Sequence, residues 1–343
     1  MQIFDHPDFD GHEQVVFSQN QADGLRSIIA IHDTRLGPAL GGCRIWRYDS
    51  EAEALADVLR LSRGMSYKAA LADLPLGGGK SVVLADSRTQ KTRTMMRALG
   101  RAVDRLGGRY IVAEDVGATV DDMDAVAEET AHVAGRSTDV GDPSPWTAEG
   151  VFRALGAAVR HRLDRGLDGL HVTVTGLGHV GRGLCDRLAA AGARLTVADI
   201  RPEAAEAVAA AHGAEVAGAE EIHRLAADVF APCALGGSLN ATTIPELGAG
   251  IVCGAANNQL ARPEDGERLR ARGILYCPDY LVNAGGLISV SRPKTGMTDA
   301  EADAKLSRIA ETLVEVLRAA EAEGLPPGTA ADRLAEARMA GLA

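Results

Sequence analysis

The sequence predicts an α/β protein of two domains, each built on its own sheet. Three observations support this. At 343 residues the chain exceeds the roughly 100–200 residues usual for one domain. Its first part alternates β-like and helical stretches after three strand-like runs that arrive together, which predicts a mixed sheet. Its second part opens on the β-branched strand His171–Thr175, which runs through Gly176-Leu177-Gly178-His179-Val180-Gly181 into a helix, the pattern of a doubly wound domain.

In order, the three early runs are Gln14–Ser18, Leu25–Asp33 and Cys43–Tyr48, rich in Val, Ile and aromatic residues and parted by turn residues such as Asp23-Gly24. Ser50 reads as a helix N-cap, with Glu53 three residues on completing a capping box. Leu55, Val58, Leu59 and Leu61 then keep helical spacing, so the helix is expected to reach about Ala72. A strand, Lys80–Ala85, a helix, Thr92–Leu106, a strand, Arg109–Glu114, and a helix from Thr119 to about Glu129 follow. The turn-rich run Asp139–Gly150, with two prolines, predicts the interdomain linker, and Thr147 is placed to cap the helix after it.

The stretch MSYKAALADLPLGGGKSVV (65–83) runs from the last turns of the first helix into the strand, and sets Lys68 and Lys80 in a largely apolar segment. A lysine desolvated near other charges acts as a base closer to neutral pH than an exposed one. Three glycines before Lys80 permit the close approach of backbone or ligand that a side chain would block. Asp115 stands at the carboxyl end of a strand, where open α/β sheets gather ligands; taken alone it reads first as a turn or capping aspartate.

In the second domain, the strand Arg194–Ala198 ends in Asp199, about 20 positions beyond the glycine fingerprint. A Rossmann-type arrangement of this kind lays a pyrophosphate on the helix N-terminus and the acidic residue on the adenine ribose. An acidic Asp199 repels a 2′-phosphate, so NAD is favoured over NADP, with Arg201 nearby the one feature that tempers this. Further strands, Asp228–Ala231, Gly250–Cys253 and Gly273–Cys277, are each followed by a polar loop: Pro232–Asn240, Gly254–Gln259 and Pro278–Gly286. Asn257, Asn258 and Asn283 in these loops offer amide groups to a nicotinamide or a substrate, and are equally ordinary turn residues. Asp299 to about Glu323 carries Leu306, Ile309, Leu313, Val316 and Leu317 at amphipathic spacing, and a short helix is expected from about Thr329.

Composition narrows the function. Hydrophobic residues make up 46% and charged residues 24%, as in an ordinary globular protein. A formal net charge of −11 argues against nucleic acid and against an anionic membrane surface. The five cysteines form no CxxC pair, which fits a reducing cytoplasm rather than a disulfide framework. The nine histidines show no HExxH spacing, so no metal is expected. The N-terminal MQIFDHPDFDGHEQ has no apolar core of a secretory signal, and no run of apolar residues is long enough to span a membrane.

Seen together, GPALGGCR (37–44), GMSYKAALADLPLGGGKSVV (64–83), AEDVG (113–117), GDPSPWTAEGV (141–151), TGLGHVG (175–181), GAANNQLA (254–261) and PDYLVNAGG (278–286) occur in one order along the whole chain. In these motifs the sequence resembles the Glu/Leu/Phe/Val amino-acid dehydrogenase family, in its leucine/valine/phenylalanine branch. The resemblance implies reversible oxidative deamination of an L-amino acid to a 2-oxo acid and ammonia, with hydride passing to NAD. It implies that Lys68 holds the substrate carboxylate, Lys80 is the base, and Asp115 shuttles protons. It places Gly42, Met65, Leu40 and Val290 at the substrate, and Thr147, Ala234, Leu235, Ala255, Ala256, Asn257 and Asn283 near the nucleotide beside the glycine fingerprint and Asp199. Two domains with a cleft between them are expected, residues 1–141 for substrate and oligomer contacts and 142–325 for NAD, with 326–343 returning towards the first. A homo-oligomer, from dimer to octamer, is expected; the chain stops at Ala343, where many relatives carry a longer basic tail.

Where glutamate-using relatives have a lysine and a serine for the side-chain carboxylate, this chain has Leu40 and Val290. Burying an aliphatic side chain against such residues is favourable by roughly 1.5–3 kcal/mol, whereas an unpaired buried carboxylate costs several. The expected substrate is apolar, of leucine, valine or isoleucine type, with aromatic amino acids, phenylalanine or tryptophan, as the alternative. Two rivals are weaker. Gly79-Lys80-Ser81 matches the end of a phosphate-binding Walker loop, but Leu74 stands where that loop needs glycine and SVVLAD reads as strand rather than helix. A non-catalytic NAD sensor would have no use for Lys80 or Asp115.

Overall fold

In a computed structural model the structure describes residues 3–139 and 141–342. The chain divides into two compact units. The first comprises Met1–Gly141, Val290–Met297 and Ala335–Ala343, the second Asp142–Ser289 and Thr298–Leu334.

The first unit is built on a five-stranded sheet of β1 (Gln14–Asn20), β2 (Leu25–Asp33), β3 (Ala39–Trp46), β4 (Gly77–Leu84) and β5 (Tyr110–Glu114). Its order is β1-β2-β4-β3-β5, with β1, β2 and β4 antiparallel and β4, β3 and β5 parallel, so the sheet is mixed. The period of two along the strands divides the side chains between two cores. Ile29 and Ile31 of β2, Cys43 and Ile45 of β3 and Val83 of β4 face α2 (Arg93–Asp104) and α3 (Val120–Ala127). Ile28 and Ala30 of β2 and Val82 of β4 face α1 (Glu51–Leu71), through Leu55, Val58 and Leu59. By the same alternation, Leu40, Gly42 and Arg44 of β3 share the α1 side with Lys80 of β4.

The glycines set how closely these layers pack. A Cβ on Gly78 would lie 2.0 Å from the Ser66 nitrogen of α1, and one on Gly79 would lie 2.7 Å from the Tyr110 ring. This is why β4 starts at Gly77 and not at Lys80: the glycine triplet is strand backbone pressed between a helix and an aromatic ring, not a turn before a strand. Likewise β3 begins at Ala39, four residues before the expected Cys43, because Gly41-Gly42 pair with β5 as strand. At Ser50 the capping box is half formed. The Ser50 hydroxyl accepts the Glu53 N–H at 3.1 Å, but the Glu53 carboxylate takes the N–H of Asp49, one residue before the cap.

The second unit carries a six-stranded parallel sheet in the order β11-β10-β9-β6-β7-β8. Its strands are β6 (His171–Thr175), β7 (Arg194–Ala198), β8 (Glu215–Val216), β9 (Ala227–Pro232), β10 (Ala249–Val252) and β11 (Leu275–Tyr276). The order reverses between β6 and β9, the switch point at which such sheets open a ligand crevice at their carboxyl ends. Helix α4 (Ser144–Leu163) begins inside the stretch expected as linker. Thr147 lies in its first turn, where the hydroxyl donates back to the Pro143 carbonyl at 3.2 Å, and is no N-cap. Asp142 serves that end instead, its carboxylate accepting the Ser144 N–H at 2.8 Å. The expected loop Pro278–Gly286 contains α8 (Asp279–Val282) and the start of α9 (Gly285–Thr295). Two further helices, α6 (Pro202–His212) and α7 (Glu264–Ala271), lacked an apolar period strong enough to announce them. Helix α10 spans Asp299–Glu323, and α11 starts at Pro327, because proline costs nothing at a first helical position whose N–H has no partner.

Two glycine substitutions test the packing at α1. Gly78→Ala drives a methyl into helix backbone and is expected to destabilise by at least about 1–3 kcal/mol in urea unfolding. Gly64→Ala, on α1 with nothing within 4 Å of the added carbon, is expected to stabilise by about 0.5–1 kcal/mol.

Candidate active site

Lys80 is buried to 5% exposure, on the central strand opposite Ala30 of β2. Its Nζ lies 2.8 Å from Oδ2 of Asp115, which follows β5 directly. Gly42 makes this possible, since a Cβ there would lie 2.7 Å from the Asp115 Cβ. Burial acts to raise the Asp115 pKa, but the charge of Lys80, and then that of Arg44, outweighs it and holds the carboxyl below its usual range. The pair therefore presents a carboxylate and a lysine nitrogen joined by one hydrogen bond.

Lys68 lies half-buried on the last turn of α1, with Met65 three residues before it. Ser66, between them in sequence, is the residue that α1 presses against Gly78, so both lysines stand two residues from that crossing. Leu40, 2% exposed, pairs with Gly78 of β4 and with Ile111 of β5 on the same side of the sheet as Lys80. Val290, half-buried on α9, belongs to the first unit by its contacts.

Three residues here carry no sequence signal. Arg44 reaches Asp115 Oδ2 through Nε at 3.1 Å and grips both oxygens of Asp57 through NH1 at 3.0 and 3.2 Å. The Tyr48 hydroxyl donates to Asp57 at 2.6 Å. Arg44, Tyr48 and Asp57 sit on a strand, a connection and a helix; only the folded sheet brings them to Asp115.

In the second unit the fingerprint glycines have separate duties. Gly176 has φ +88°, and a Cβ there would lie 2.5 Å from the Ala234 nitrogen, so the loops after β6 and β9 touch at the switch point. A Cβ on Gly181 would meet the Gly176 oxygen at 1.9 Å, which seats α5 (His179–Ala190) on the loop. Gly178, the N-cap of α5, has nothing within 4 Å of its would-be Cβ, and no side chain caps the helix. That is an open cradle over backbone N–H groups, the form a pyrophosphate needs. His179 and Val180 form the first turn, His179 exposed with Nδ1 3.0 Å from Asp142 Oδ2.

Asp199 follows β7 directly. Its Oδ2 accepts the Leu177 N–H at 2.7 Å and its Oδ1 accepts the Arg201 N–H at 2.9 Å and Nε at 3.2 Å. Burial opposes ionisation, but those backbone N–H groups and then the Arg201 guanidinium hold the carboxyl below its ordinary pKa. Ala234 and Leu235 are exposed after β9, Leu235 to 88%. Ala255, Ala256 and Asn257 follow β10, and the Asn283 amide donates to the Ala255 carbonyl at 3.0 Å and to Asn257 Oδ1 at 2.7 Å. The Asn283 Oδ1 is buried with no hydrogen-bond partner among the described residues. Thr147 faces Gly286, whose added Cβ would lie 2.7 Å from its hydroxyl.

A switch-point crevice with an open glycine cradle and an aspartate at the end of the next strand, carried with a buried lysine–aspartate pair, is the combination of a pyridine-nucleotide dehydrogenase. Residues 12–132 match the Glu/Leu/Phe/Val dehydrogenase dimerisation domain, and residues 195–342 match the Glutamate/Leucine/Phenylalanine/Valine dehydrogenase family. The chain belongs to that family and is an amino-acid dehydrogenase, catalysing oxidative deamination. It is 46% identical to leucine dehydrogenase of Bacillus cereus, over 100% of this chain and 94% of that protein. It is 47% identical to valine dehydrogenase of Streptomyces coelicolor, over 98% of this chain and 94% of that protein. The crystal structure of L-tryptophan dehydrogenase from Nostoc punctiforme superposes with a TM-score of 0.87 at 46% identity, covering 97% of each chain.

The glycines separate folding from binding. Gly178→Ala is expected to leave the Tm within about 1 °C while weakening dinucleotide affinity, because its Cβ enters the cradle and no protein atom. Gly176→Ala, strained at positive φ and in contact with Ala234, is expected to lower the Tm by several degrees, a cost of about 1–3 kcal/mol. Isothermal titration with NADH beside thermal unfolding distinguishes the two.

Proposed function

We propose that this enzyme carries out the reversible, NAD-dependent oxidative deamination of a branched-chain L-amino acid to its 2-oxo acid and ammonia. The observation that carries the substrate class is Leu40, buried on the Lys80 side of the sheet at a position where glutamate-using relatives have a lysine. An aliphatic side chain is compatible with the buried Leu40, whereas a carboxylate set against that apolar side chain would be desolvated at a cost. The leucine and valine dehydrogenases among its relatives agree with this.

In this reading the Lys68 ammonium holds the substrate carboxylate and fixes the amino group for reaction. Lys80 takes the proton from the substrate nitrogen or from the water that attacks the iminium, and Asp115 passes protons to and from Lys80. The backbone of the Gly176–Gly181 loop holds the pyrophosphate, and Asp199 accepts hydrogen bonds from the ribose hydroxyls. Bound NAD supplies the hydride acceptor. NAD is preferred to NADP because Asp199 would face a 2′-phosphate, and Arg201, the residue that could offset this, is engaged with Asp199. A homo-oligomer formed through the first unit fits the dimerisation-domain match and the exposed edge strand β1, where Phe17 is 54% exposed. A cytoplasmic setting fits the five free cysteines, and among the described residues no helix is long and apolar enough to cross a membrane.

A second reading, an aromatic substrate, rests on the likeness to L-tryptophan dehydrogenase. Comparing kcat/KM for leucine, valine, phenylalanine, tryptophan and glutamate, each with NAD and NADP, decides between them. Leucine or valine with NAD is expected to lead; tryptophan in front supports the second reading, and glutamate in front overturns both. Lys80→Ala is expected to lower kcat by about 10²–10⁴-fold with NADH affinity unchanged, and near-normal turnover removes Lys80 from the base role.

A further inference from the structure

We infer that Arg44, anchored by Asp57 and Tyr48, is a positioning residue that sets both the place and the charge of Asp115 for proton transfer. The inference rests on the roles proposed above for Lys80 and Asp115 and extends them to a group outside the reacting atoms.

The geometry is unequal in an informative way. Lys80 Nζ and Arg44 Nε both address Oδ2 of Asp115, at 2.8 and 3.1 Å. One carboxylate oxygen thus serves two cations, one of them the base itself. A carboxylate left to Lys80 alone would be free to follow that flexible side chain, whereas a guanidinium is a rigid plane with donors in fixed directions. Arg44 is itself clamped from behind. Both Asp57 oxygens lie on its NH1, and Tyr48 holds Asp57 through the shortest bond of the set, at 2.6 Å. Burial, and next its bond to Asp57, push the Tyr48 phenol pKa up, so it stays a donor. Side chains of Arg44 and Asp57 are about a quarter exposed, 23% and 25%, enough burial for the ion pairs to be directional.

Charge adds a second effect. Arg44 contributes to holding the Asp115 carboxyl below its ordinary range, after Lys80. A second fixed cation keeps Asp115 ionised while protons pass through Lys80, and it disfavours a surplus proton on the pair. Removing it takes away one of the charges that hold the Asp115 carboxyl below its ordinary range. Asp57 balances the remainder of the guanidinium charge, so the network Tyr48–Asp57–Arg44 shares one cation between two carboxylates.

The test uses the whole enzyme with its best amino acid from the substrate panel and NAD, and the full pH dependence of kcat/KM. Arg44→Met, an uncharged side chain of similar length, is expected to lower kcat about 10–100-fold with little change in KM, and to move the acid limb to higher pH. Arg44→Lys restores the charge without the two-sided fork; it is expected to return the limb towards its original position while kcat stays low. Tyr48→Phe removes only the rear bond and, should Arg44→Met fold poorly, carries the test by itself, with a several-fold fall in kcat at unchanged NADH affinity. Activity and acid limb both unchanged in Arg44→Met overturn the inference, as does an unchanged kcat in Tyr48→Phe. Lys80→Ala, assayed in parallel, separates the two levels. An inactive Lys80→Ala with normal Arg44 variants removes only the role of Arg44; an active Lys80→Ala removes the underlying reading.

Discussion

An ammonium buried in a sheet is sustainable only if a carboxylate meets it, and the first unit is arranged around that requirement. Lys80 lies on the central strand with Asp115 at 2.8 Å. Removing one member of such a pair leaves a buried charge without compensation, at a cost of about 3–5 kcal/mol. Everything near it is shaped to allow the approach. Gly42 leaves room for Asp115, Gly78 lets α1 press its backbone onto β4, and Gly79 makes way for Tyr110, whose hydroxyl donates to the Gly41 carbonyl at 2.7 Å. The glycines are therefore neither flexible nor a phosphate cradle. They are strand residues whose missing side chains define how near the helix, the sheet and the charged pair come to one another.

The second unit solves a different problem with the same residue. Gly176 turns the chain at positive φ, Gly181 seats the helix, and Gly178 keeps a space clear. Its sheet reverses order between β6 and β9, and the loops that follow these strands meet where Gly176 approaches Ala234. The Leu177 N–H donates to Asp199, which ties the end of β7 to the glycine loop in one hydrogen bond. The first unit is thus built on burial and paired charge, and the second on backbone left exposed at a glycine turn.

Much of this is legible in the chain itself, for reasons that differ by element. His171–Thr175 and Arg194–Ala198 stand out because β-branched residues are bounded by glycines, and both match the folded strands end to end. Helix α10 shows its apolar period over its full length, Asp299–Glu323. Helices α6 and α7 do not: α6 is an alanine-rich helix and α7 is dense in charge, so neither carries a marked stripe. Thr147 has the side chain of a cap but sits one turn too late, because Asp142 reaches the free N–H groups first. The loop expected at Pro278–Gly286 instead holds α8 and the start of α9, and the Tyr276 hydroxyl donates to the Asp279 carboxylate in the first turn of α8 at 2.9 Å.

The sequence by itself determined the two kinds of sheet, the dinucleotide fingerprint with its acidic partner, and the identity of Lys68, Lys80 and Asp115 as the residues of interest. These are local properties: periodicity, a glycine spacing, a lysine among apolar neighbours. Only the tertiary structure decided that the glycine triplet is strand, that Leu40, Gly42, Arg44 and Lys80 share one face, and that Arg44 joins Asp115 to Asp57 and Tyr48. The physical reason is that ion pairs and steric clearances act across the sheet between residues far apart in the chain. No spacing along the sequence records how near a missing Cβ lets two backbones come.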